Sequence, residues 1–185
     1  MKTSIKAAFI CLLFSCSHVE VVPIHEPKIA PESKPNENHA SFQFTASKIA
    51  TDAEKKQIER LQKKVNEVVN GECFKNEMLK PGLKLNETTD SPEVVFNRIR
   101  ASKVVAVISY YSKRFTSAVA YAENGTFYFN RAKIGSWSDC NFASTALHES
   151  THLDPLEYSH AFNDYKGRNF TVPYYMNQIM EKCCK

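Results

Sequence analysis

From residue 51 onward, apolar and polar positions follow patterns that mark out one element after another. Thr51-Asp52-Ala53-Glu54 has the form of a capping box, in which a Thr and the Glu three residues on satisfy each other's backbone N–H groups. Ile58, Leu61, Val65 and Val68 then recur at the three- and four-residue steps of one helix face. Asn70-Gly71 supplies the stop, and Lys80-Pro81-Gly82 reads as a turn. Ser91-Pro92-Glu93 opens a second helix, with Pro at the first position, where its missing N–H is no loss; that helix runs to about residue 100. Residues 103–112 are rich in Val, Ile and Tyr and predict a strand. Residues 118–123 and 126–130 predict a hairpin joined by Asn124-Gly125, the pair best suited to positive φ at both turn positions. A helix is expected over 140–153, ended by Pro155. Val172-Pro173 opens a last helix running towards residue 184. The order helix, helix, strands, helix, helix predicts an α+β domain over residues 46–185, with one helix packed on a short mixed or antiparallel sheet.

Ahead of this domain the pattern changes. Lys2 and Lys6 flank the start of an apolar run over 7–14, the length of a signal-peptide core and too short to span a bilayer. The run ends in Leu13-Phe14-Ser15-Cys16, which resembles a bacterial lipobox. The resemblance implies that residues 1–15 are a signal peptide and that Cys16 becomes the lipidated first residue. Acyl chains there would hold the protein on a membrane of the bacterial cell envelope without a spanning helix. Ser17 in place of Asp is similar to the sorting pattern of outer-membrane lipoproteins; ordinary secretion to the periplasm or beyond is the alternative. From 16 to 45, Pro23, Pro27, Pro31 and Pro35 stand among Lys, Glu, Ser and Asn, too little apolar surface to order itself, so an extended tether is expected. His18, His25 and His39 fall in that stretch and read as solvated linker residues.

Composition narrows the partners. Apolar residues make up 43% of the 185 and charged residues 24%, which excludes a wholly disordered chain. The formal charge is +4; losing Lys2 and Lys6 with the signal peptide leaves 4 − 2 = +2. With no basic stripe and no RNP-like aromatic run, nucleic acid is not an expected partner. A monomer acting on a protein or peptide is.

Past Cys16 the chain has Cys73, Cys140, Cys183 and Cys184. Export permits disulfides. Neighbouring cysteines point their side chains apart, so Cys73 and Cys140 are each expected to take one of Cys183 and Cys184; which takes which stays open. A cysteine zinc knot is the alternative, against which stands the lack of any C-x-x-C pair.

The candidate chemistry lies in a short stretch. His148-Glu149-Ser150-Thr151-His152 is H-E-x-x-H on the predicted helix. At i and i+4 two imidazoles stand one turn apart on one face and can share a Zn²⁺, with Glu149 beside them to take a proton from water. Residues 46–185 contain three histidines, all between 148 and 160. A catalytic zinc also needs a third protein ligand and an open position. His160, reached after Asp154-Pro155 turns the chain back, is the first candidate; Asp164 is the second and Glu181 the third.

Residues from about 118 to 176 resemble the zincin metallopeptidases, most nearly the metzincin pattern H-E-x-x-H-x-x-G-x-x-H. The resemblance implies a zincin-like fold, a zinc cofactor, a hairpin strand that pairs with substrate, and a methionine turn, for which Met176 is the candidate. The pattern departs in two places: seven residues, not five, separate His152 from His160, and the Gly is missing. Asn163 to Gly167 is similar to the aspartate-ligand zincins. An oxyanion donor is expected at Tyr174 or Tyr175. Trp137 is expected to pack the loop before the active helix and Asp139 to cap that helix. The sequence thus points to a zinc endopeptidase tethered to the cell envelope. A non-catalytic envelope lipoprotein that uses a zincin-like fold for binding is the alternative; a zinc carrier is a third.

Overall fold

A computed structural model describes residues 39–115, 118–159 and 167–185. Among these the chain forms β1 (Ser41–Ala46), α1 (Asp52–Val69), α2 (Glu72–Met78), α3 (Pro92–Ala101), β2 (Lys103–Tyr111), β3 (Ala120–Glu123), β4 (Thr126–Asn130), α4 (Arg131–Ile134), α5 (Asp139–Ser150) and α6 (Val172–Cys183), with a 3₁₀ turn over Arg168–Phe170. The α+β architecture expected from the sequence is present, and its sheet is mixed. Strand order is β1-β2-β4-β3: β2 pairs in parallel with both β1 and β4, while β3 lies antiparallel at the edge.

Local chemistry sets these elements. Thr51 and Glu54 close the capping box at the head of α1. The Ser91 hydroxyl accepts from Val94 N–H at the head of α3, with Pro92 next to it. Asn124 and Gly125 both take positive φ, 48° and 71°, and turn β3 into β4. Along β2 the burial alternates, with Val104, Ala106, Ile108 and Tyr110 facing the core while Val105 and Val107 face outward. On the inner face Phe44 meets Phe127 at 5.8 Å and Phe129 stacks on Phe142 of α5 at 4.7 Å. The buried stripe of α1, with Ile58, Leu61 and Val65, closes over the same core.

The domain begins earlier than expected and with a strand. Residues 41–46 form β1, so the segment assigned to the tether up to residue 45 contributes part of the sheet. The cause is a period-two pattern, Phe42 and Phe44 inward against Gln43 and Thr45 outward, in a stretch whose composition is otherwise that of a linker. α2 also lay outside the expected elements. Asn70 caps α1, but Gly71 at once serves as N-cap of a further short helix that buries Phe74 and Met78.

The outer edge of β1 is sealed by side chains. Gln62, Asn66 and Asn70 stand one turn apart on α1, and their carbonyl oxygens accept from the backbone N–H groups of Phe44 (2.7 Å), Phe42 (2.9 Å) and Ala40 (2.9 Å). The amide nitrogens of Asn66 and Asn70 donate to the carbonyls of Phe42 and Ala40. Three N–H groups and two carbonyls that an edge strand otherwise offers to another strand are thereby occupied. Asn66→Ala is expected to cost about 1–3 kcal/mol, because it orphans one donor and one acceptor of Phe42. Urea denaturation reads this; an unchanged midpoint would show that water serves the edge as well as the amide does.

Cys73 of α2 is bonded to Cys183, and Cys140 of α5 to Cys184. The expected division of the adjacent pair is what the structure has, and it clamps the end of α6 to two other helices.

Candidate metal and catalytic site

α5 carries the H-E-x-x-H segment. Its N-cap is Ser138, whose hydroxyl accepts from Asn141 N–H at 3.2 Å. Asp139, expected to be the cap, is instead the first helical residue, where its carboxylate favours the helix N-terminus and accepts from Arg60 Nε at 2.8 Å. The regular helix stops at Ser150, earlier than expected, and a tighter turn carries the chain on: Thr151 N–H and His152 N–H donate to the carbonyls of His148 and Glu149. The Thr151 hydroxyl donates to the same His148 carbonyl at 2.7 Å, which holds that turn. His152 therefore lies just past the helix, yet its ring stays beside that of His148, with centroids 5.2 Å apart.

His152 is held by the loop that follows. Its Nδ1 is 2.6 Å from the carbonyl oxygen of Tyr158. A carbonyl only accepts, so Nδ1 carries the proton and Nε2 keeps its lone pair. Burial lowers the His152 pKa, partly offset by this bond, and so favours the neutral ring that a metal ligand must be. Arg98 fixes the loop, donating to the carbonyls of Pro155 (3.1 Å) and Leu156 (3.4 Å) and to Asp90 (2.7 Å). The Tyr158 hydroxyl donates to the same Asp90 carboxylate at 3.1 Å. Orientation of a ligand histidine through a backbone carbonyl on its second nitrogen is the usual support of zinc sites.

His148 and Glu149 are 8% and 7% exposed, and both line a cleft of about 630 Å³ between β3, α5 and α6. Burial pushes the Glu149 carboxyl up to about 7, and the Ala122 N–H of β3, donating to it, draws it back only in part. No cation among the described residues forms an ion pair with it. Tyr174 also lines the cleft: its ring meets His148 edge-on at 4.8 Å, and Arg168 lies over it at 4.4 Å. Tyr175 points elsewhere, donating to the Glu77 carbonyl at 3.1 Å, so of the two tyrosines only Tyr174 stands at the cleft. Trp137 packs edge-on to Phe142 and borders the cleft, in keeping with the packing role expected of it.

Two expectations fail on α6. Met176 is fully buried inside a regular helix, not in a turn. Val172-Pro173 starts that helix, and four residues in, Met176 falls on its core stripe with Val172, Ile179 and Met180. Glu181 is exposed near the helix end and joins no cluster with the two histidines. His160, Asp164 and Cys16 lie outside the described residues, as does the signal segment. Among the described residues no group of three His, Cys, Asp or Glu stands together to hold a metal. The pair His148 and His152 nonetheless suits one Zn²⁺: adjacent rings, a protonated Nδ1 on His152, and a buried acid beside them.

Four contributors carried no sequence signal: the Tyr158 carbonyl, the Ala122 N–H, Arg168 over the Tyr174 ring, and Asn177, which lines the cleft from α6. No helix among the described residues is long and apolar enough to cross a membrane. No protein-family model matches the chain, and neither curated proteins nor solved structures yielded a match.

Proposed function

We propose that the chain is a zinc-dependent peptide-bond hydrolase of the zincin kind, held at the bacterial cell envelope by a lipid on Cys16. The observation that carries this reading is Glu149: a buried carboxyl raised to about 7, next to an imidazole pair, in a cleft beside a sheet edge. A fold gains nothing in stability from such an acid, whereas a general base works best with a pKa near the working pH.

The residues divide the work. His148 and His152 hold the metal with a third ligand, for which His160 and Asp164 are the candidates. Bound there, Zn²⁺ supplies a Lewis acid for the scissile carbonyl and makes water a nucleophile near neutral pH. Glu149 takes the proton of the attacking water on its carboxylate and returns it to the leaving amine. The substrate backbone lies along β3, the edge strand beside α5, as an added strand. Tyr174, which lines the cleft, is the residue assigned to donate to a developing oxyanion.

Metal content of the mature protein tests the reading. One zinc per chain is expected in the wild type, with sharp loss in His148→Ala and His152→Ala. His160→Ala and Asp164→Ala, measured in parallel, identify the third ligand. A wild type that takes up no zinc from excess would overturn the proposal.

A further inference from the structure

A metal-binding His148 would need the same support that Tyr158 gives His152, and α6 is the element that reaches its Nδ1. Asn177 places its side-chain Nδ2 3.2 Å from His148 Nδ1. The other end of that amide lies 3.1 Å from the Ser144 hydroxyl, which is also 3.3 Å from the Asn177 backbone carbonyl. The two ends of a side-chain amide are told apart by their partners, not by shape. With Nδ2 towards the ring, His148 Nδ1 must accept, its proton then sits on Nε2, and the ring has no lone pair there for a metal. With Oδ1 towards the ring, Nδ1 donates, Nε2 keeps its lone pair, Nδ2 donates to Ser144 Oγ, and Ser144 Oγ donates to the Asn177 carbonyl. Both arrangements give each end of the amide a partner at the same heavy-atom positions; only the second leaves His148 Nε2 with the lone pair that a metal needs.

The setting adds weight. Ser144 is 4% exposed and His148 8%, so bulk water competes little with the amide for the ring nitrogen. Asn177 sits on α6, a helix whose next turns end in Cys183 and Cys184, both tied down. An amide on so fixed an element can hold a ring at one angle.

We propose that Asn177, backed by Ser144, is the positioning residue of His148, holding its Nδ1–H so that Nε2 is presented as a metal ligand. The inference rests on the zinc reading above and deepens it. It makes α5 and α6 one device: α5 carries the ligand and α6 sets its tautomer.

The test has a readout that does not depend on activity or on metal. Long-range proton–nitrogen correlation spectra of the metal-free, nitrogen-15-labelled protein at neutral pH report which nitrogen of His148 carries the proton. An Nδ1–H in the wild type and its loss in Asn177→Ala are expected; an Nε2–H in the wild type overturns the proposal. Zinc competition with a chromophoric chelator is the second arm. Asn177→Ala should bind zinc 10–100-fold more weakly, the usual effect of losing such a partner, while Asn177→Asp, which still accepts from Nδ1, should bind within a few-fold of wild type. Equal affinity in wild type and Asn177→Ala sinks the inference while leaving the hydrolase reading standing. A wild type without zinc sinks the hydrolase reading, and the tautomer spectrum still decides for or against Asn177. Asn177→Asp also guards against a fold defect, because it keeps the size of the side chain.

Discussion

Glu149→Gln is expected to lower peptide hydrolysis by about two or more orders of magnitude, the share a positioned acid–base group contributes, with zinc content unchanged. Gln keeps the shape and an acceptor oxygen for the Ala122 N–H but has no proton to take or give. The same substitution has a signature in stability, and its sign is fixed by the raised pKa. In the metal-free fold the carboxyl holds its proton up to about 7, whereas in the unfolded chain it releases it near the ordinary 4.5. Between those values the folded protein binds more protons than the unfolded one, so the wild type loses stability as pH rises through that window. The Gln variant does not. Its advantage over wild type should therefore grow by roughly 2–3 kcal/mol between pH 4 and pH 8. Denaturation midpoints of the two metal-free proteins across that range measure it. If wild type and variant are equally inert on casein and on peptidoglycan peptides, and equally active in the cell, Glu149 is not a base and a binding role replaces the hydrolase.

Removing the Cys73–Cys183 bond is expected to be the most destabilising single change in the domain. The two disulfides span 110 and 44 residues. In the chain-entropy account these closures are worth about 4.8 and about 4.0 kcal/mol. The loops overlap, so once one is closed the other restrains less chain and their sum overstates the pair. A Cys73→Ser/Cys183→Ser double variant should melt roughly 10–15 °C lower than the oxidised wild type, and Cys140→Ser/Cys184→Ser somewhat less so. Calorimetry with and without reductant checks both. A melting temperature unmoved by reduction, with four free thiols counted by mass spectrometry, would falsify the claim. The effect should reach the site as well, because α6 carries Asn177 and Tyr174 into the cleft and both bonds anchor its end.

What was legible in the sequence is what short-range chemistry decides. Thr51 with Glu54, Ser91 with Pro92 and Asn124 with Gly125 each act within four residues, and each element appears where those residues put it. The H-E-x-x-H spacing and the division of the adjacent cysteines belong to the same class. The rest turns on contacts between distant parts. β1 is a strand because β2 is there to pair with it and α1 to cover its edge; six residues after a proline-rich stretch do not announce that. The methionine turn that the zincin resemblance implies at Met176 is not there, because Pro173, which could close a loop, instead begins a helix. Asn177 is one polar residue on an amphipathic helix, and nothing in its neighbours distinguishes it from Gln178. Only the docking of α6 on α5 gives it a partner.

The amide ladder on β1 also governs how the molecule can meet copies of itself. Among the described residues the β1 side of the sheet is largely covered, which leaves the side of β3, where Ala122 N–H already donates to Glu149, as the side on which an extended chain could be added. A body with a single adhesive side cannot polymerise through it, since joining two such sides uses both and leaves none for a third. Edge-to-edge pairing would therefore stop at a two-fold dimer. Because β3 borders the cleft that Glu149 lines, such a dimer would cover the clefts of both copies and would not grow into fibres.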